Sequence, residues 1–350
     1  MPSKDGLPTL ATVAASAGVS IATVSKVVNG RADVGPATRA RVQHLLQEHH
    51  YVERRAEPAQ VSGGSQTVEL VFHGPRLSTY SLEILQGVLE SGTEVGATIA
   101  LSVRPRARRS RSVKGPDAWV RELNNRRRSA VIDVVGDVRH GDLAALSRAR
   151  MPLVVIDPLN LPRRQVTSVG ATNFAGGMAA TEYLLSLGHR RIAYLGSLPG
   201  VAFNLARMHG YRAALEAAGV SEQEEYIRNG SHDYETGEAG GAILLDLPHP
   251  PTAVFAATDE SAAGVVEAAR ARGLHVPEEL SVVGFDDTAV ARLLSPPLTT
   301  VRQPLREMGR VALRTALRLA AGEELDSHHV ELATELVVRS STAPPPSDGR

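Results

Sequence analysis

The 350-residue chain contains no cysteine, which excludes disulfides, thiolate nucleophiles and cysteine-ligated metal, and suits a reducing compartment. Lysine is nearly missing, being confined to Lys4, Lys26 and Lys114, so arginine carries the basic charge. Net charge is missing too: 38 basic residues balance 38 acidic ones. A neutral total announces neither a nucleic-acid nor a membrane partner, although it can hide a small basic module. No apolar run is long enough to span a bilayer, and MPSKDGLPTLATVAASAG has no apolar core of the secretory kind. The expectation is a cytoplasmic protein. There is no G-x-S-x-G elbow, phosphate-binding P-loop, G-x-G-x-x-G or H-E-x-x-H. The adjacent pairs His49-His50 and His328-His329 would point apart on a helix or strand, which makes them poor metal ligands. No enzyme activity, cofactor or metal is expected.

What is present begins with three short helices. Leu10, Val13, Ala14 and Ala17 recur at helical spacing behind Thr9, and Gly18 follows as a helix-ending glycine would. A second helix starts behind Ser20, carries Val24, Val27 and Val28, and stops at Asn29-Gly30. A third opens at Pro36, tolerated in a first turn, and presents Val42, Leu45 and Leu46 on one side. A helix, a glycine-containing turn and a second helix with small polar residues at its start make a helix-turn-helix pattern. Ser20, Ile21, Ala22, Ser25 and Lys26 form an outer face thin and polar enough for a DNA major groove. Short helical hairpins also serve as plain packing units, so on pattern alone the DNA reading stays open.

The stretch ERRAEPAQVSGGSQ has almost no large apolar residue and reads as a linker. After it, VELVF, TIALSV, AVIDVV, PLVVID, RRIAYLG, TAVFAAT and LSVVGFD alternate with amphipathic segments. These are expected strands, buried on both faces, of a parallel α/β body whose pattern restarts after Asn173. The pattern thus gives a small all-α unit over 1–52, a linker over 53–66, a parallel α/β body over 67–340 in two similar halves, and a tail over 341–350. The tail, STAPPPSDGR, reads as disordered. The basic runs RPRARRSRSVK and NNRRR are read as solvated.

In open parallel sheets ligands sit at the carboxyl ends of strands. Asp157, Asp259 and Asp286 occupy such ends, and Arg207 adds a fork of donors. A carboxylate can accept two hydroxyl hydrogen bonds at once, which suits the vicinal diols of a sugar. Each strand-end aspartate could equally cap the next helix.

TLATVAASAGVSIATVSKVVNGRADVGPATRARVQHLLQEHHYV resembles the DNA-binding headpiece of the LacI/GalR family of bacterial transcriptional repressors almost position for position. VTSVGATNFAGG, ATEYLLSLGHRRIAYLG, ARMHGYRAALEAAGV, PTAVFAATDESAAGV, VPEELSVVGFDD and PPLTTVRQP resemble that family's sensor domain. The resemblance implies a small all-α DNA-binding headpiece, a hinge, and a sensor of two doubly wound parallel-sheet lobes as in periplasmic binding proteins, one lobe being 67–170 plus 303–325 and the other 171–302 plus 326–340. It further implies a nucleoid-associated bacterial homodimer reading a near-palindromic operator, with a sugar or sugar-like effector in the cleft between lobes. A purine or nucleoside corepressor is the alternative effector; a small-molecule-binding protein without regulated DNA binding is a more distant one. Ile21, Ala22 and Lys26 fall at base-reading positions, with Ser25 beside them. Ile21 and Ala22 would offer apolar contact to a thymine methyl, and Lys26 would discriminate guanine more loosely than an arginine. Thr9, Asn29, Thr38 and Arg39 match phosphate-gripping positions. The hinge departs from the family: Gln60 stands where a wedging leucine is usual, Pro58 interrupts the helix, and Val61 could substitute after a one-residue slip. In the sensor, the resemblance supports Asp286 and Arg207 most strongly, places Thr258 and His232 near the pocket, and makes Tyr80 and Phe174 candidate stacking surfaces.

Overall fold

The computed structural model describes residues 10–28, 35–48, 66–74, 77–104, 115–160, 166–197 and 200–346. The chain divides into two compact units, Met1–Gly64 and Ser65–Arg350.

The first unit holds α1 (Leu10–Ala17), α2 (Ile21–Val28) and α3 (Pro36–Glu48). Gly18, at φ 62°, turns the chain out of α1, a conformation that glycine adopts without steric cost. The Val19 N–H returns to Ala14 O at 3.1 Å. Ser20 Oγ then accepts the Thr23 N–H at 3.1 Å and so starts α2, as an N-cap serine does. Ala14 and Ala17 of α1, Val24 and Val27 of α2 and Val42 of α3 close a small core, with Val19 and Leu45 against it. The expected three helices are therefore present, and α1 and α2 meet through small side chains.

In the second unit, β1 (Thr67–His73), β2 (Thr98–Arg104), β3 (Arg128–Val134), β4 (Leu153–Ile156), β5 (Thr167–Ala171) and β11 (His329–Leu332) form one sheet in the order β11-β5-β4-β3-β1-β2. A second sheet has the order β12-β10-β9-β8-β6-β7. Its members are β6 (Ile192–Gly196), β7 (Ile227–Asn229), β8 (Ala253–Ala256), β9 (Ser281–Asp286), β10 (Thr299–Arg302) and β12 (Glu335–Val337). All neighbours run parallel except β10 and β12. Parallel strands require crossovers, and the helices that make them cover the sheets. They are α4 (Thr79–Val95), α5 (Pro116–Asn125) and α6 (His140–Arg148), then α7 (Asn173–Ser186), α8 (Ala202–Ala217), α9 (Tyr234–Leu245), α10 (Asp259–Arg270), the short α11 (Ala289–Leu293) and α12 (Leu305–Ala320). The apolar runs of the sequence supply the cores: Leu70, Ile132 and Ile156 in the first lobe, Val254, Phe255 and Val282 in the second. The edge strand β2 departs from the expectation of two buried faces, since Leu101 and Val103 are half exposed.

Two expected boundaries need correction. The chain passes between lobes after β5, before α12 and again between Leu332 and Glu335, because β11 pairs with β5 in the first sheet. Residues 326–332 therefore do not belong with the second lobe. The segment expected to begin a disordered tail is built into that lobe. Ser341 Oγ donates to Val282 O at 2.6 Å and accepts the Thr299 N–H at 2.8 Å, and Ser341 is fully buried.

Candidate functional site

A cavity of about 600 Å³ lies where the strand ends of the two lobes face each other. The first lobe contributes Phe72 and His73 from the end of β1, Tyr80 from α4, Val134 at the end of β3 with Val135 after it, and Asp157 after β4. The second contributes Phe203 and Arg207 from α8, His232, Thr258 and Asp286. Placement at carboxyl ends of parallel strands follows from the crossover topology, which leaves a crevice there.

Asp157 and Asp286 are held in backbone conformations rare for residues with a side chain, at φ 44° and 115°. Such strain persists where surrounding structure over-determines it, and it concentrates at binding sites. Tyr80 Oη donates to Asp157 Oδ2 at 2.6 Å. Gln303 Nε2 donates to Asp286 Oδ1 at 2.6 Å, and Arg207 Nη2 lies 3.9 Å from the same oxygen. Arg207 is itself fixed: Nε donates to Asn173 Oδ1 at 2.8 Å, Nη1 to Ala257 O at 2.5 Å, and the guanidinium sits 3.7 Å from the Phe285 ring centre. Bidentate anchoring and stacking leave this cation one orientation.

Burial dominates the electrostatics. It raises the Asp157 carboxyl above its ordinary value, against the opposing hydrogen bond from Tyr80 and the charge of Arg207. It raises Asp286 strongly, again against Arg207. The Tyr80 hydroxyl is pushed up by burial and by the neighbouring Asp157, so it stays a proton donor. The floor of the cavity thus combines two desolvated carboxyls with one cation.

Of the residues singled out in the sequence, Tyr80, Asp157, Arg207, His232, Thr258 and Asp286 line this cavity. Thr258 also caps α10, exchanging bonds with Ser261, and its hydroxyl donates to His232 O at 3.0 Å. The His232 ring lies 5.3 Å from that of Phe203. Two expected contacts are corrected. Asp259 is fully buried and points away from the cavity, accepting from Thr300 Oγ1 at 2.5 Å, from the Thr288 N–H at 2.7 Å and from Thr288 Oγ1 at 3.1 Å. It ties β10 and the start of α11 to α10. Phe174 lies outside the cavity, 47% exposed on α7. Phe72, His73 and Phe203 were missed; the strand-end rule could have found His73, which closes VELVFH as the aspartates close their strands.

On the headpiece, Lys26 is exposed on α2, while Thr38 and Arg39 are half-buried on the first turns of α3. Ile21, Ala22 and Ser25 lie on α2, the second helix of the motif. Thr9, Asn29, Gln60 and Val61 lie outside the described residues. No described helix is long and apolar enough to cross a membrane.

The profile described as "Bacterial regulatory proteins, lacI family" matches residues 9–53, and that described as "Periplasmic binding protein-like domain" matches residues 181–342. The chain is 35% identical to the HTH-type transcriptional regulator CelR of Thermobifida fusca over 339 residues, covering 95% of this chain and 98% of that one. It is 32% identical to the HTH-type transcriptional regulator DegA of Bacillus subtilis, covering 96% and 98%. Among solved structures, a CelR–cellobiose complex matches at TM-score 0.71 and 33% identity over 95% of this chain and 99% of that one. A lac repressor dimer bound to operator and the anti-inducer ONPF matches at 0.74 and 27% over 96% and 99%. The chain belongs to the LacI family of bacterial transcriptional regulators, with a helix-turn-helix headpiece and a sensor of two parallel-sheet lobes.

Proposed function

We propose that the protein is a sugar-responsive repressor of carbohydrate-use genes in the bacterial cytoplasm, binding a near-palindromic operator as a homodimer. The observation that carries the effector reading is the buried pairing of Asp286 and Asp157 with the fixed Arg207 around one cavity. Paired acceptors and a planar donor suit adjacent hydroxyls, and a CelR relative has been solved with cellobiose. Ile21, Ala22 and Lys26 are the proposed base readers, with Ser20 and Ser25 beside them and Thr38 and Arg39 on phosphates. Half-exposed Leu82 and Leu89 on α4 and Leu101 and Val103 on the edge strand β2 offer apolar surface that a second copy would cover.

Regulation follows as a population shift. Sugar favours one angle between lobes, lobe angle sets the spacing of the two headpieces, and DNA affinity changes through that differential binding. A coupling of about 1–3 kcal/mol is typical of such systems. Fluorescence anisotropy on DNA from upstream of the gene, at fixed salt and with a panel of sugars and nucleosides, tests this. Saturable binding that random DNA displaces poorly and one sugar shifts is the expected result. Affinity no better than for random DNA, unmoved by every sugar, overturns it.

A further inference from the structure

His73 is the last residue of β1 and lines the cavity. Its Nε2 lies 2.5 Å from Asp133 Oδ1 on the adjacent strand β3, and both side chains are largely buried. This pair has been given room: a Cβ on Gly136 would fall 2.2 Å from Asp133 Oδ2, so the turn after β3 must be bare for the carboxylate to reach the imidazole. With Asp133 accepting, Nε2 carries a proton, and the uncharged form of the ring then offers a lone pair at Nδ1. Nδ1 has no partner among the described residues, and Phe72, Val134 and Val135, which line the same cavity, are apolar. A directional acceptor in a cavity with apolar lining residues is a reader of hydroxyl groups.

The rest of the cavity narrows the class of ligand. Asp157, Asp286 and Glu260 also line it, and Arg207, the one arginine among the described lining residues, has two of its three nitrogens committed to Asn173 and Ala257. Among the described lining residues, acidic groups therefore outnumber cations. A phosphate or carboxylate on the ligand would face two buried acidic groups, Asp157 and Asp286, against one described cation, whereas a neutral polyol supplies hydroxyl protons for them to accept.

We propose that His73, positioned by Asp133, is a specificity-determining contact that accepts a hydroxyl proton from a neutral, unphosphorylated saccharide. The proposal rests on the sugar reading above and adds the ligand's charge class and a residue that selects it. Asp133 is a positioning residue: it sets which nitrogen of His73 is bare.

The test is calorimetry of the full-length protein with cellobiose, maltose, lactose and trehalose, and with glucose 6-phosphate and adenosine as charged and nucleoside probes. The same titrations are run on His73→Phe, which keeps a ring and removes the acceptor, and on His73→Asn, whose amide oxygen restores an acceptor near Nδ1. The expected result is that a neutral disaccharide binds the wild type, glucose 6-phosphate does not, His73→Phe loses at least tenfold in affinity, and His73→Asn recovers part of it. Imidazole nitrogen shifts by NMR give a reading independent of ligand: one ring with Nε2–H in the wild type, and mixed tautomers in Asp133→Ala. That measurement decides the positioning role even if His73→Phe folds poorly. A disaccharide affinity within twofold of wild type in His73→Phe, or an Nδ1–H tautomer in the wild type, overturns the assignment while leaving the sugar reading intact. Binding of glucose 6-phosphate or adenosine with no neutral saccharide binding overturns both.

Discussion

At the scale of single residues, the sensor sets stability against recognition. Asp157 is buried, and burial holds its carboxyl above its ordinary value. A group whose folded-state value is raised contributes fully only below the unfolded value, about 3.9, and that contribution is lost as pH rises through the folded one. Near neutrality Asp157 is therefore a liability, retained for what it binds. Asp157→Asn keeps an oxygen for the Tyr80 hydroxyl and removes the buried charge. It is expected to raise the melting temperature near pH 7 by a few degrees, the scale of about 1 kcal/mol in a domain of this size, and the gain should shrink on acidification. Disaccharide affinity should fall by roughly tenfold, the loss of one charge-assisted bond. Thermal melts at two pH values and calorimetry on one preparation check both halves; a variant that melts lower at neutral pH refutes the argument.

At the scale of elements, the helix pairs that cover the lobes meet through glycines. A Cβ on Gly177 of α7 would fall 2.3 Å from Arg207 O, and one on Gly210 of α8 would fall 2.1 Å from Phe174 O. The close crossing of α7 and α8 thus fixes where Arg207 stands, so packing and recognition are one constraint. Gly177→Ala should cost about 1–3 kcal/mol by overpacking and weaken sugar binding as Arg207 moves; chemical denaturation and calorimetry should report the two together. The C-terminal strap gives a second element-scale prediction. His189 Nδ1 accepts from Thr252 Oγ1 at 2.8 Å and Nε2 donates to Ala343 O at 2.9 Å. Burial pushes His189 below its ordinary value, so its contribution is complete above the unfolded value, about 6.5, and is lost as pH falls through the folded one. His189→Gln should lower stability by about 1–3 kcal/mol and flatten the slope of stability with pH below that value, measured by urea titration. Legibility also divides by element. Strong apolar runs such as TAVFAAT announce central strands, and strand ends announce Asp157 and Asp286. The lobe crossing at Ala333-Thr334 is silent, because HVELATELVV has no glycine or proline to mark a break between β11 and β12. Asp259 looked like its fellows because all three follow apolar runs. Only the fold reveals that Thr288 and Thr300 turn it inward.

At the scale of the sensor as a whole, a side-chain contact between two cavity-lining residues joins the lobes, in addition to the backbone bond from the Ala202 N–H to Leu159 O at 2.9 Å. Glu260, in the first turn of α10, accepts from the backbone N–H of Thr79 at 3.1 Å and from its hydroxyl at 2.8 Å. Thr79 is the first residue of the 17-residue α4 in the opposite lobe, where unsatisfied N–H groups and the helix dipole favour a negative charge. The bond exists only while the lobes approach, so it adds to whichever state of the sensor is closed. A ligand that needs closure sees its affinity divided by the fraction of molecules already closed. Glu260→Ala should therefore weaken disaccharide binding by roughly twofold to tenfold without a comparable loss of thermal stability, because it removes a part-buried bond rather than core. Small-angle scattering of the unliganded sensor should show a more open particle, and excess disaccharide should return it to the wild-type profile. If unliganded profiles coincide while affinity still falls, Glu260 acts as a direct ligand contact and closure has another source.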